Sequence, residues 1–245
     1  MTNLITLAGE GSRFRDKGVL LPKPMVEVDG TPMIIKSVSC LPNAEKNVFV
    51  CREEHLCDYK LDKLLSDNFS NCEFVVIKET TEGQACTAEY GINMSSINPD
   101  DPILISCCDY GLDWSQEKFS KIKDESDVVV WATTKNEAFS KNPSSYSWLE
   151  INNDIVKKTH VKQSFFDDPY NNHAIVGTFY FAKSRYFLES LNTIYEHNIR
   201  SNNEFYIDNI FNTAKDLTIK AFTVDDYHCW GTPEDLKNYE DNLLG

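Results

Sequence analysis

Apolar residues in this 245-residue chain fall into two rhythms. The first is a set of short, nearly solid runs: "NLITLA" (3–8), "KNVFVC" (46–51), "CEFVVIK" (72–78), "PILISCC" (102–108) and "DVVVWATT" (127–134). Runs of this length, rich in Val and Ile and bounded by turn residues, predict strands buried on both faces. The second rhythm fills the gaps. "PMIIKSVSCL" (32–41) opens with proline at a helix N1 position. "EEHLCDYKLDKLLSD" (53–67) and "GQACTAEYGINMSSI" (83–97) space their apolar residues as helices do. Alternating strands and helices predict a Rossmann-like, doubly wound α/β sheet. In such sheets ligands bind beyond the carboxyl ends of the strands. The loop after the first strand, the turn "TTEGQA" and Asp109 all fall on that edge.

The pattern changes after residue 135. "YSWLEIN" (146–152), "DIVKKTHVK" (154–162) and "AIVGTFYFA" (174–182) follow one another with little helix between them. This predicts an antiparallel or mixed extension. A helix near 184–197, a shorter one near 204–214, a strand at 217–224 and a terminal helix from Pro233 complete the chain. There is no linker, repeat or low-complexity tract. The expectation is one domain of two parts, 1–135 and 136–245.

Charge sharpens this picture. The net charge is −14, which disfavours a nucleic-acid binder. Against that background Arg13, Arg15, Lys17 and Lys23 crowd one loop with only Asp16 among them. An acidic protein with one basic loop suits a small anionic substrate. No apolar run approaches the ~18 residues of a membrane span, and the N-terminus has no basic leader region, so a cytoplasmic protein is expected. The eight cysteines form no C-x-x-C pair. They read as reduced, small core hydrophobes.

The basic loop begins with Gly9 and Gly11 directly after a strand. Bare backbone there can bring N–H groups close to a phosphate. A dinucleotide fingerprint would need a third glycine where Phe14 stands, and a Walker loop would need G-K-[ST]. The wider set is more specific: Gly9, Gly11, Ser12 and Arg13, then Pro22, Lys23 and Pro24, then Gly30, Thr31, Pro32, Met33 and Ile34. This resembles the sugar-phosphate nucleotidyltransferases, the pyrophosphorylases that make nucleotide-sugars, in residue type, order and spacing, and further landmarks extend the likeness over most of the chain.

The resemblance implies a Mg2+-dependent transfer of a nucleotidyl group to a phosphorylated acceptor, with release of pyrophosphate. It implies catalytic roles for Arg13 on the β and γ phosphates and Lys23 on the α phosphate. It places the nucleotide on Leu7, Ala8, Gly9, Gly11, Ser12, Glu82, Gly83 and Gln84. It places the acceptor on Lys162, Gly177 and Glu204, with His173 as a further candidate, and a metal on Asp109. Relatives with one small domain often use CTP or UTP, so a pyrimidine is favoured. The product would be an activated precursor for surface polysaccharide.

Three departures qualify these expectations. Val161 and Gln163 stand where the family has the Glu and Pro of E-K-P, which argues against an ordinary hexose 1-phosphate. Asp109 is followed by Tyr110 and Gly111, so the D-x-D of glycosyltransferases is absent. In "DDYHCWGTPEDL" the family's second metal aspartate falls on Cys229, a poor Mg2+ ligand. Asp225 or Asp226 is the expected replacement, with His228 a possible phosphate contact. The chain ends soon after this helix, so no C-terminal β-helix is expected. Two other readings stay open: a non-catalytic nucleotide-sensing or scaffold relative, and an NAD-dependent oxidoreductase, which lacks its third glycine. Nucleobase, acceptor and oligomeric state are not legible.

Overall fold

The computed structural model describes residues 1–243. Its strands are β1 (Thr2–Thr6), β2 (Glu27–Val28), β3 (Thr31–Pro32), β4 (Lys46–Arg52), β5 (Cys72–Ile77), β6 (Ile103–Ser106) and β7 (Tyr110–Asp113). They continue with β8 (Val128–Thr133), β9 (Trp148–Asn152), β10 (Ile155–His160), β11 (His173–Phe181), β12 (Ile219–Thr223) and β13 (Asp226–Cys229). The helices are α1 (Ser12–Arg15), α2 (Met33–Ser39), α3 (Glu53–Cys57), α4 (Leu61–Asn68) and α5 (Gln84–Met94). They end with α6 (Gln116–Asp124), α7 (Glu137–Lys141), α8 (Ser184–Glu196) and α9 (Pro233–Leu243).

Nine strands form one mixed sheet in the order β5-β4-β1-β6-β11-β8-β12-β10-β9. The block β5-β4-β1-β6 is parallel. β11 runs antiparallel to both β6 and β8, while β12 is parallel to β8. The hairpin β9–β10 closes the far edge.

The solid apolar runs have a direct cause. Leu4, Val48, Val50, Ile103, Ile105, Val128 and Val130 point into a core shared with α5 and α8. Their neighbours Ile5, Phe49, Leu104, Val129 and Trp131 point into a second core under α2, α4 and α6. With both faces covered, most central strand positions are apolar, and buried polar ones such as Asn3, Ser106 and Thr178 are hydrogen-bonded.

Two elements depart from the sequence expectation. The helix expected over 53–67 is broken into α3 and α4, because Lys60 adopts the left-handed conformation at φ 56°. The helix expected near 204–214 is a single 3-10 segment, Ile207–Asn212. A third element was not foreseen. β7 and β13 pair antiparallel as a separate two-stranded sheet, with Tyr110 opposite Cys229 and Asp113 opposite Asp226.

A small apolar cluster holds the basic loop in place. Phe14 of α1, Val26, Val28 and Met33 pack on Trp230 and Leu236, the latter on α9. The loop is therefore bolted to the turn that follows β13. No helix among the described residues is long and apolar enough to cross a membrane.

Candidate active site

One cavity of about 530 Å³ opens at the carboxyl end of β1. Its first wall is the loop from Leu7 to Phe14. Among the described residues, no backbone amide from Ala8 to Arg13 donates a hydrogen bond within the protein; the first to do so is Phe14, to Gly11 O. Six amides in a row are thus available to an anion. Gly11 makes the turn possible. It sits at φ +61°, and a Cβ there would lie 3.1 Å from Lys23 Cβ. Arg13 is exposed, lines the cavity and forms no ion pair among the described residues.

The floor is Lys23 and Asp109. Lys23 Nζ donates to Asp109 Oδ2 at 2.7 Å and to Gly231 O at 3.1 Å. Only 18% of the Lys23 side chain and 27% of the Asp109 side chain are exposed. Burial alone would pull the Lys23 ammonium down, yet the Asp109 carboxylate beside it holds it above its ordinary pKa. Burial would likewise push the Asp109 carboxyl up, but Lys23 overrides this and holds it below the usual value. Cys107 Sγ donates to Asp109 Oδ1 at 3.0 Å. Burial pushes the Cys108 thiol to about 12 and the Cys107 thiol well above its ordinary value, so both stay neutral.

The opposite wall is the turn into α5. Gly83 caps that helix at φ +132°, where a Cβ would come within 2.6 Å of Phe205 O. No other residue fits there. Phe205 N donates to Glu82 O, and Ala85 N donates to Phe205 O, so the turn and the segment around Glu204 are laced together. Gln84 and Glu204 line the cavity. Glu82 does not; its carboxylate pairs with Arg200 at 2.8 Å.

The remaining expected residues are spread out. Gly177 sits in the register shift of β11 at φ +95°, its Cα facing Tyr110 and Cys107. Lys162 is left-handed at φ 54°, donates Nζ to Ser145 O at 2.7 Å and lies over the Tyr206 ring. His173 starts β11 opposite Leu149, and burial lowers its pKa. Neither Lys162 nor His173 lines the cavity.

The structure does not bring Asp225 or Asp226 to Asp109. Cys229 is the β13 residue nearest Asp109, and Asp226 lies three residues farther along, about 10 Å at ~3.3 Å per residue. Asp225 pairs with Lys118, and Asp226 Oδ1 accepts the Tyr227 amide. Together Asp113, Asp226 and His228 gather ligand atoms within 4.8 Å of one another, on the surface.

Several cavity residues escaped the sequence reading: Thr6, Glu10, Thr80, Thr81, Thr87 and Gly231. Thr81 and Thr87 share a 2.6 Å hydrogen bond and both reach Gly83 O. The pair of threonines flanking "EGQA" was the available signal.

A set of known structures shares this fold. The nucleoside-diphosphate-sugar pyrophosphorylase from Vibrio cholerae aligns over 98% of this chain and 99% of its own, at 18% identity and TM-score 0.79. This is the sugar-phosphate nucleotidyltransferase fold. The inositol-1-phosphate CTP transferase from T. maritima shares the nucleotidyltransferase fold over 98% of this chain and 93% of its own (18% identity, TM-score 0.73). A UDP-glucose pyrophosphorylase complexed with UDP-glucose shares it over 99% and 98% (17% identity, TM-score 0.74). No family model matches the sequence, and no curated protein matches it.

Proposed function

We propose that this protein is a nucleotidyltransferase that joins an NTP to a sugar phosphate or polyol phosphate and releases pyrophosphate. The observation that carries this reading is the run of undonated amides from Ala8 to Arg13, lining the same cavity as the Lys23–Asp109 pair. An acceptor phosphate is already a nucleophile at neutral pH, so the protein needs no general base. Its task is to bring two polyanions together in line. An acceptor oxygen forms a bond to the α phosphorus, and the bond from that phosphorus to the bridging oxygen breaks. Pyrophosphate leaves with the electron pair.

In this reading the amides and Arg13 hold the β and γ phosphates, and Lys23 shifts from Asp109 to the α phosphate. Leu7, Ala8, Gly9, Gly11 and Ser12 form the phosphate loop of a doubly wound nucleotide-binding half, residues 1–135. Gly83 and Gln84 read the base. Glu204, Gly177 and Lys162 serve the acceptor in residues 136–245, with His173 behind them.

Asp109 fits a divalent cation such as Mg2+. It offers carboxylate oxygens in a cavity suited to phosphates, and a Cβ built on Gly231 would sit 3.6 Å from its Oδ2, in space a side chain would fill. A cation there would neutralise charge on the phosphates during transfer. The similar structures include a CTP transferase and a complex with UDP-glucose, which supports a pyrimidine nucleotide. A role in surface polysaccharide synthesis follows only as an extension of that chemistry.

The test is pyrophosphate release with Mg2+, screening CTP, UTP, dTTP, GTP and ATP against sugar 1-phosphates and polyol phosphates. One active pair, lost in Lys23→Ala, is the expected result. Silence across the panel would favour the non-catalytic reading that Cys229 raises.

A further inference from the structure

Resting on the nucleotidyltransferase reading, we infer that Asp235, in the first turn of α9, is the second carboxylate of the metal site, standing in for the one that Cys229 cannot supply. Three groups surround the bare Cα of Gly231. A Cβ built there would lie 3.6 Å from Asp109 Oδ2, 3.6 Å from Cys229 Sγ and 3.8 Å from Asp235 Oδ2. Two carboxylates and a thiol therefore border the space over Gly231, and glycine leaves that space open.

The chemistry of the three donors differs. A hard divalent cation takes oxygen ligands and disfavours sulfur. Cys229 is thus the weak member, and Asp109 and Asp235 are the two that match. Asp235 is also held ready. Thr232 Oγ1 donates to its Oδ2 at 2.7 Å, and its own amide donates back to Thr232 Oγ1 at 3.1 Å. This reciprocal bond at the start of α9 fixes the side chain and uses one of its two oxygens. The Oδ1 atom has no hydrogen-bond partner among the described residues. Asp225 and Asp226 do not approach Gly231, since they lie toward the other end of β13.

The fold explains why the helix can supply this group. β13 ends at Cys229, the chain turns at Gly231, and α9 starts at Pro233. The first turn of α9 therefore passes directly over the place where a longer acidic residue on β13 would reach. Lys23 ties this turn down through Gly231 O at 3.1 Å.

The experiment titrates Mn2+ into the full chain, alone and with CTP or UTP, and reads the water proton relaxation that protein-bound Mn2+ enhances. Asp235→Asn should weaken Mn2+ about 10-fold or more, as Asp109→Asn does, while Asp225→Asn leaves it unchanged. Asn keeps an oxygen for Thr232, so the melting temperature should hold within a few degrees. Cys229→Asp should restore Mn2+ affinity in the Asp235→Asn background. Wild-type affinity in Asp235→Asn with Asp109→Asn impaired would overturn this assignment and leave the nucleotidyltransferase reading standing. No Mn2+ site in the wild-type chain would overturn both. A drop in melting temperature with unchanged Mn2+ affinity would show a capping role only and overturn the assignment.

Discussion

The two ends of the β7–β13 strand pair carry the same kinds of residue in opposite settings. At one end Asp109 and Lys23 meet at 2.7 Å, with 27% and 18% of their side chains exposed. At the other, Asp225 and Lys118 meet at 2.9 Å, with 52% and 66% exposed. Distance barely separates the two pairs. Surroundings do. The inner pair is walled by buried thiols and by the cluster of Phe14, Met33 and Trp230, so its charges see little water. The outer pair is solvated, and its attraction is offset by hydration and side-chain entropy. An ion pair's meaning therefore follows from what encloses it, and of the two only the enclosed pair lines the cavity.

The sharpest way to break this contrast is in turnover. Asp109→Asn should lower kcat/KM for pyrophosphate release by about 10²–10³-fold, the usual cost of one electrostatic group in a transition state. Asp226→Asn should stay within about two-fold of wild type. Equal losses at both ends would erase the distinction.

Stability gives the next largest difference. Lys23→Ala leaves the Asp109 carboxylate without its partner. Removing one member of a fully buried pair costs about 3–5 kcal/mol; with a quarter of Asp109 exposed, about 2–3 kcal/mol is expected. Urea unfolding with an unchanged slope would measure it. A loss under 0.5 kcal/mol would mean that water already screens the inner pair.

The same pair sets a pH window. Asp109 has a lowered pKa in the folded protein, so its stabilising effect is present above the unfolded value of ~3.9 and is lost as pH falls through the lowered one. Lys23 has a raised pKa, so its effect is present below the unfolded ~10.4 and is lost as pH rises through the raised one. The Lys23→Ala deficit should therefore be flat from about pH 5 to 9 and shrink toward pH 3. A deficit that grows on acidification would contradict the assignment.

The β7–β13 pairing also marks the limit of what the sequence could say. Strands such as β1, β4 and β8 were legible because both faces are buried and every residue shows it. The loop Gly9–Lys23 was legible because glycines, prolines and cations leave a dense local record. β13 has four residues, "DYHC", and its partner lies more than a hundred positions earlier. Nothing local marks it as a strand, so nothing local says that Asp226 and Cys229 lie at opposite ends. For that reason nothing local showed that Asp225 and Asp226 lie away from Asp109. Glu82 is a similar case. It lies in the right turn, but Arg200, distant in sequence, draws its carboxylate away from the cavity.

The smallest effect is the most discriminating about solvent. Lys118→Ala removes the outer pair, whose worth is about 0.2–1 kcal/mol at low ionic strength. At ~1 M salt the screening length falls to about 3 Å, comparable with the 2.9 Å contact itself, so the deficit should vanish there. The Lys23→Ala deficit should largely persist in the same buffer, because salt screens a partly buried pair much less than an exposed one. Chemical unfolding in urea at 0.05 M and 1 M NaCl separates the two. If salt abolishes both deficits, the cavity floor is as wet as the surface, and the inner pair loses its claim to a special environment. If salt abolishes neither, the outer pair is held by packing of the Lys118 stem on α6 rather than by charge, and the contrast between the two ends reduces to geometry.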